Sequence, residues 1–172
     1  MNKENAQKFK KPKVIAVANQ KGGVGKTNIT FNLSGALAEK NKRILLIDLD
    51  QQGNLSSSFL ENIYNLKLTV ADLFLDKDND LDLAKVIQKT SFQNIDIAPS
   101  NIDLSKIDLQ LAGEPDAQYF LADKLKDLKE GYNYIIIDCP PSLGLATRKI
   151  LGQTFTFGAA ISILVRWGCP CR

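Results

Sequence analysis

Uninterrupted apolar runs are the clearest pattern along the chain, and each of them ends in a polar or glycine-rich segment. Residues 14–18 and 44–47 contain no polar side chain, and residues 134–137 lead directly into Asp138. Apolar runs of this length without alternation are typical of parallel strands that are covered on both faces. Ile95–Ala98, which is followed by a proline, predicts a further short strand.

Segments with helical spacing lie between these strands. Apolar side chains at positions 29, 33, 36 and 37 share one face and predict a helix over residues 28–40. Shorter helical patterns cover residues 68–75, 81–89, 105–111 and 116–128. Strands that alternate with helices predict an α/β fold, namely a doubly wound, mostly parallel sheet with helices on both faces.

The segment between the first strand and the first helix, residues 20–27, reads QKGGVGKT. A glycine-rich loop in this position leaves several backbone N–H groups unpaired at the positive end of the helix dipole. These groups face one point, where a phosphate chain fits. The glycines allow the backbone to wrap closely around an anion. Lys26 adds a positive charge for the β and γ phosphates, and the Thr27 hydroxyl is placed to ligate Mg²⁺.

Carboxylates end two of the predicted strands. Asp48 and Asp50 follow the second apolar run, and Asp138 follows the last one. Acidic residues at the carboxyl end of a central strand, beside a phosphate loop, are positioned to bind Mg²⁺ through water or to orient a nucleophilic water. We therefore expect these carboxylates to lie beside the loop.

The composition of the chain restricts the kinds of catalytic and metal sites that it can form. The 172 residues, 44% of them hydrophobic, suit one globular domain with a sizeable core. The chain has no histidine, which removes the usual general base near neutral pH. Cys139, Cys169 and Cys171 show neither zinc-ligand spacing nor a disulfide framework, and Cys139 is expected to be a small buried side chain. The net charge of +3 permits nucleic-acid binding without arguing for it.

The two ends of the chain carry no targeting or membrane signal. The N-terminus has no apolar signal core, and the apolar run at residues 155–165 is interrupted and too short to span a bilayer. We therefore expect a cytoplasmic protein without a stable membrane anchor. Residues 1–13 hold five lysines against one glutamate and predict a flexible basic tail, either a solubilising leader or a contact for DNA or an acidic membrane face.

The loop departs from the ordinary phosphate-loop pattern, and this departure is typical of a known family. Gln20 stands where that pattern has a glycine, and a second lysine, Lys21, lies at the head of the loop. The loop resembles the deviant Walker A motif of the ParA/MinD ATPases. Residues 48–54, DLDQQGN, resemble switch I of ParA-type proteins, which usually have proline where this chain has Gln51. Residues 138–144, DCPPSLG, resemble their Walker B aspartate and switch II.

The resemblance implies a role for each residue of these motifs. Lys21 would reach across a dimer interface to the partner's nucleotide, Lys26 would bind phosphates and Asp50 would position the attacking water, so these are the expected catalytic residues. The expected nucleotide-binding residues are Lys21, Gly22, Gly23, Val24, Gly25, Lys26, Thr27 and Asn28, with Asn28 in place of a second threonine that contacts the α-phosphate. The expected metal ligands are Thr27, Asp48 and Asp138, and the expected cofactors are ATP and Mg²⁺.

The function that the resemblance implies is an ATP-dependent switch of chromosome or plasmid partitioning. Such a switch forms a homodimer with ATP, binds DNA non-specifically, and hydrolyses ATP slowly until a ParB-type centromere-binding protein stimulates it. It would be cytoplasmic and associated with the nucleoid. A membrane-associated cell-division ATPase of the MinD type is less favoured, because the C-terminal segment is not a lysine-rich amphipathic helix. An electron-transfer ATPase like the nitrogenase iron protein needs cluster-ligating cysteines that do not recur at suitable places.

The resemblance extends from residue 14 to about residue 151. Residues 1–13 are expected to be the basic tail, residues 14–151 an incomplete phosphate-loop ATPase domain, and residues 152–172 an atypical C-terminal tail. We interpret that tail as a truncated or frame-shifted end, with a native but divergent ending as the alternative. A truncated chain would be a catalytically incompetent fragment that at most binds nucleotide, and this alternative stays open.

Overall fold

The computed structural model describes residues 12–76, 80–107, 117–126, 128 and 131–141. Several expectations fall outside these residues. They concern the basic tail up to residue 11, residues 108–116 with the predicted helix break at 113–115, and the whole segment from residue 142 onward, which includes Cys169 and Cys171.

The described residues form a five-stranded sheet. Its strands are β1 (Lys13–Val17), β2 (Ile44–Asp48), β3 (Gln88–Lys89), β4 (Ile95–Ala98) and β5 (Tyr134–Asp138). They lie side by side in the order β1-β5-β2-β4-β3. The first four strands of this order are parallel, and only β3 runs antiparallel to its neighbour β4.

Helices connect the strands. They are α1 (Lys26–Ala38), α2 (Asn54–Phe59), α3 (Val70–Leu75), α4 (Leu83–Val86) and α5 (Ala117–Lys126), with 3-10 turns at Ile63–Asn65 and Ile102–Lys106. In the part of the chain that the structure describes, none of the helices has the length and apolar character needed to cross a membrane.

Helices cover both faces of the sheet, because successive strand residues point to opposite sides. On one face α1 and α2 pack over Ile15, Val17, Ile44, Leu46, Ile95, Ile97 and Ile136. On the other face α3, α4 and α5 pack over Val14, Ala16, Leu45, Ile47, Ala98, Ile135 and Ile137. The predicted α/β fold, a doubly wound and mostly parallel sheet, is confirmed.

The helix predicted over residues 81–89 is wrong in its second half. There the chain leaves α4 and forms β3, in which Lys89 lies opposite Asp96 of β4. Asp96 is only 7% exposed, and its carboxylate accepts hydrogen bonds from Lys89 Nζ at 2.7 Å and from the Tyr132 hydroxyl at 2.8 Å. Because a buried charge without partners is costly, this pairing outweighs the local preference for helix.

Two other segments differ from the sequence prediction. Residues 105 and 106, predicted to begin a helix, belong instead to the 3-10 turn that starts at Ile102, where the Asn101 side chain accepts the Asp103 N–H at 3.1 Å. Helix α2 was not predicted at all. It has six residues, and only Leu55, Ser56 and Phe59 are buried, so its apolar periodicity is too short to recognise.

We predict that the centre of the sheet controls stability. Leu46 on β2 is fully buried, so Leu46→Ala should lower the free energy of unfolding by about 2–5 kcal/mol through lost contacts and a residual cavity. Tyr64, which is 92% exposed, is the control, and Tyr64→Ala should stay within about 0.5 kcal/mol of wild type. Urea denaturation measures both, and similar losses for the two variants would contradict the described burial.

Candidate functional site

The loop between β1 and α1 leaves the first turn of α1 without a side-chain cap. Gly23 and Gly25 have positive φ angles of 68° and 87°, in the left-handed region that glycine adopts readily. Gly25 is the N-cap residue of α1, and no side chain caps the helix there. The N–H groups of the first helical turn therefore present a partial positive charge to the space above the loop.

The two lysines of the loop differ in their surroundings. Lys26 is 8% exposed, and its Nζ donates to the carbonyl oxygen of Lys21 at 3.3 Å, so its ammonium group lies across the loop. Lys21 is exposed, and its own N–H donates to the Asn19 side chain at 2.9 Å. The loop thus fixes the main chain of Lys21 and places its side chain at the surface.

A side-chain pair joins the loop to the end of β5. Thr27 Oγ1 donates to a carboxylate oxygen of Asp138 at 2.8 Å, although 111 positions separate the two residues. One turn further along α1, the buried Thr30 hydroxyl lies 3.4 Å from the other oxygen of Asp138. Since β5 lies next to β1 in the sheet, the strand order itself brings Asp138 to the start of α1.

The end of β2 and the loop after it add two more carboxylates. Asp48 pairs with Asp138 in the register of β2 and β5 and is fully buried. Its oxygens accept the Asp50 N–H at 3.0 Å and the N–H and hydroxyl of Ser56 at 2.9 and 2.7 Å. Asp50 is 8% exposed, and its carboxylate accepts the Gln52 N–H at 3.0 Å. Because these donors already engage Asp48, its role as a metal ligand stays a prediction.

Burial changes the acidity of the strand-end groups. It raises the pKa of Asp48 to about 7 and the pKa of Asp138 to about 6, against the opposing effect of hydrogen bonds from Ser56 and Thr27. Burial also raises the pKa of the Cys139 thiol to about 12, which fits the expected small buried side chain. A cation beside the two carboxylates would favour their ionised forms and offset part of the cost of burying them.

The available oxygens fit a magnesium nucleotide better than a metal ion alone. Mg²⁺ is usually held by one or two protein oxygens together with phosphate oxygens and water. The Thr27 hydroxyl and the Asp138 carboxylate are such oxygens, and the open start of α1 is suited to phosphate. Over residues 12–76, 80–107, 117–126, 128 and 131–141, no group of three or more His, Cys, Asp or Glu side chains is placed to hold a metal.

The structure thus gathers most of the predicted site residues at one edge of the sheet. Lys26, Thr27 and Asp138 lie together, Asp48 ends the adjoining strand β2, and Asp50 lies on the loop that follows it. The remaining predicted residues, Lys21, Gly22, Gly23, Val24, Gly25 and Asn28, line the loop and the first turn of α1, and all of them except Gly25 are exposed.

Sequence reasoning missed three buried hydroxyl groups in this region. They belong to Thr30, Ser56 and Ser100, each with no exposed surface. Thr30 follows Thr27 by about one helical turn, and this spacing was the available signal. Ser56 and Ser100 were assigned no role in the site, because their hydrogen-bond partners become apparent only when α2 and the end of β4 are packed together.

A parallel sheet with a glycine-rich loop before a helix, and an aspartate at the end of the adjacent strand, defines a phosphate-loop nucleotide-binding protein. Residues 12–156 match the protein family described as "AAA domain", and the chain belongs to that family. Within it, the resemblance to the ParA/Soj-type partition ATPases is confirmed by the similarity to its relatives.

Three relatives illustrate the similarity. Sporulation initiation inhibitor protein Soj from Bacillus subtilis is 42% identical over 139 residues, which cover 81% of this chain and 54% of Soj. Cobyrinic acid a,c-diamide synthase from Mycobacterium smegmatis, solved with an ATP analogue and magnesium, has a TM-score of 0.73 and 36% identity over 80% of this chain and 55% of that one. A plasmid partition protein from Borrelia burgdorferi has a TM-score of 0.69 and 32% identity, over 83% and 61%. The chain spans about half the length of the curated relatives.

The glycines of the loop and of α1 should respond oppositely to the same substitution. Gly25→Ala forces a Cβ into the left-handed region and should cost roughly 1–2 kcal/mol of stability. Gly35→Ala lies inside α1, where an added Cβ meets nothing within 4 Å, and should gain up to about 1 kcal/mol. Chemical denaturation measures both variants, and changes of the same sign would contradict the described loop conformation.

The buried carboxylates predict an unusual pH dependence in metal-free buffer. Because the pKa values of Asp48 and Asp138 are higher in the folded state, the folded chain binds more protons than the unfolded chain between about pH 4 and pH 7. The free energy of unfolding should therefore fall as pH rises, by roughly 4 kcal/mol between about pH 5 and pH 7.5. No histidine contributes in this range.

Thermal and urea denaturation with EDTA present would measure this slope. Asp48→Asn should flatten much of it, whereas Asp123→Asn, which removes a carboxylate that is 57% exposed, should leave it unchanged. Stability that rises with pH over this range would contradict the prediction.

Proposed function

We propose that this chain binds Mg-ATP and hydrolyses it slowly, as the nucleotide site of a switch in chromosome or plasmid partitioning. The hydrogen bond of 2.8 Å between Thr27 and Asp138, at the uncapped start of α1, is the observation that carries the proposal. It places a hydroxyl and a carboxylate beside the part of the fold that is suited to phosphate. The Borrelia relative, described as a plasmid partition protein, supports the biological setting.

Phosphate binding is assigned to the loop and to Lys26. The main-chain N–H groups between Gly22 and Asn28 would donate to the phosphate oxygens, with Asn28 nearest the α-phosphate. Lys26 would exchange its present acceptor, the Lys21 carbonyl, for charged phosphate oxygens, which form the stronger hydrogen bond. Because the Lys26 side chain is already held across the loop, little further ordering is needed.

Metal binding and hydrolysis are assigned to the strand ends. Thr27 and Asp138 would hold Mg²⁺, with Asp48 contributing through water, and the bound ion would neutralise charge that develops on the phosphates. Asp50 would orient the water that attacks the γ-phosphate. Its position supports this role, since its negative charge is close enough to raise the pKa of Asp138.

The similarity to the relatives and the exposure of Lys21 support the proposed partners. An exposed lysine at the head of the loop can reach a nucleotide on a second copy of the chain, which supports an ATP-dependent homodimer. Non-specific DNA and a ParB-type centromere-binding protein are proposed as partners on the similarity to Soj and to the chromosome partitioning protein ParA of Myxococcus xanthus. The corresponding location is the cytoplasm, in association with the nucleoid.

A second candidate is a chain that binds nucleotide but does not turn it over. The chain spans about half the length of its curated relatives, so their activity is not carried over to it as a whole. A slow ATPase of this kind needs groups supplied by a partner or a second subunit, so the phosphate loop can bind nucleotide without hydrolysis.

The proposal predicts different effects for the two loop lysines. Lys26→Ala should weaken binding of a fluorescent ATP analogue by more than about tenfold, because it removes the buried charge beside the phosphates. Lys21→Ala should leave binding within about threefold of wild type and lower phosphate release instead. Lys42→Ala, at an exposed lysine just beyond the other end of α1, is the matched control and should change neither quantity.

The same assays separate the two candidates. Phosphate release by wild type that does not exceed the rate of Lys26→Ala would reject the ATPase for this chain and leave the binding-only alternative. Equal affinity of wild type and Lys26→Ala for the analogue would reject the nucleotide site altogether.

A further inference from the structure

Two buried serines, Ser56 on α2 and Ser100 just after β4, have no role in the predicted site. Neither has exposed surface. They come from elements that are 44 positions apart in the chain, yet the Ser100 N–H donates to Ser56 Oγ at 2.9 Å. A buried hydroxyl must find hydrogen-bond partners, so the partners of these two groups indicate what they do.

The partners of both serines belong to the segment that carries Asp50. Ser56 Oγ donates to Asp48 Oδ2 at 2.7 Å, so one hydroxyl links α2, β4 and the end of β2. Ser100 Oγ donates to the main-chain carbonyl oxygen of Asp50 at 2.6 Å. The Gly53 N–H donates to that same carbonyl at 2.9 Å, so two donors hold it.

The main chain of Asp50 is therefore fixed on both sides. Its N–H donates to Asp48 Oδ1 at 3.0 Å, and its carbonyl is held by Ser100 and Gly53. With the main chain fixed, only side-chain rotation is left to the carboxylate, and the Gln52 N–H that donates to it at 3.0 Å restrains this rotation too. Gly53, which closes this turn, has a φ of +62°, so a side chain there would strain the main chain even though its Cβ would make only ordinary contacts with Ile63 and the Ser100 carbonyl.

A carboxylate that orients a water molecule must be held to within a fraction of an ångström, and displacement by about 1 Å can cost about a hundredfold in rate. We propose that Ser56 and Ser100 are positioning residues that hold the Asp50 segment in its working geometry by linking it to α2 and β4. This inference rests on the proposed role of Asp50 in hydrolysis. The Ser100 hydroxyl contacts neither the phosphate loop nor a proposed metal ligand in the described hydrogen bonds, so nucleotide affinity should not depend on it.

The test compares Ser100→Ala with a matched serine on the outside of α2. Ser100→Ala removes the bond to the Asp50 carbonyl but keeps the main-chain bond to Ser56. Ser57 is exposed, and among the described residues its hydroxyl bonds only to the carbonyl of Asn54 within its own helix, so Ser57→Ala is the control. Ser100→Thr keeps the hydroxyl, and Ser100→Cys replaces it with a weaker donor of similar shape.

Two readouts are needed, and the first needs no nucleotide. In hydrogen–deuterium exchange of the nucleotide-free chain, Ser100→Ala should raise exchange at the amides of Gln52 and Gly53 by about tenfold. Ser57→Ala should leave their exchange unchanged, and Ser100→Cys should lie between wild type and Ser100→Ala. Unchanged exchange in both Ser100→Ala and Ser100→Cys would overturn the proposal.

The second readout separates positioning from a general structural role. Ser100→Ala should lower kcat for ATP by about tenfold and leave KM within about twofold, and Ser100→Thr should recover most of kcat. A rise in KM equal to the loss of kcat, or a kcat like that of wild type, would overturn the proposal. If wild type itself does not exceed Lys26→Ala in phosphate release, the proposed ATPase fails, and the exchange experiment still decides whether the serines hold the Asp50 segment.

Discussion

The insertion of β5 between β1 and β2 is the constraint on which the site depends. These strands are parallel, so their carboxyl ends meet at one edge, and the register places Asp138 beside both Val17 and Asp48. The phosphate loop leaves the end of β1, and the Asp50 segment leaves the end of β2. A single pairing pattern thus joins three segments that are far apart in the sequence. Any change that shifts the register of β5 would move the Asp138 carboxylate away from Thr27.

Most of the architecture could be predicted because the strong signals are local. Apolar runs identify the four parallel strands to within a residue at each end, and residues 20–27 identify the loop. The segments that could not be predicted have distant causes. Strand β3 forms because the buried carboxylate of Asp96 needs Lys89, and nothing within residues 81–89 reveals that partner.

The residues of the site that belong to motifs were predicted, and those that support them were not. Thr27, Lys26 and Asp138 were recognised from motifs, and the structure places them together. The surroundings of Asp48 were not foreseen, because its donors on α2 lie in a segment with weak sequence signals. A motif names residues that contact a ligand, whereas residues that hold those residues in place are recognisable only from packing. Ser56 and Ser100 are of this second kind.

The two edges of the described sheet differ in length, and this difference limits where a further strand can pair. At one edge, β3 offers only two residues, and its Lys89 is paired with Asp96, so an incoming strand would find almost no ladder to join. At the other edge, β1 has five residues and, among the described strands, pairs only with β5. Enlargement of the sheet, by another segment of polypeptide or by another molecule, is therefore directional and favours the side of β1.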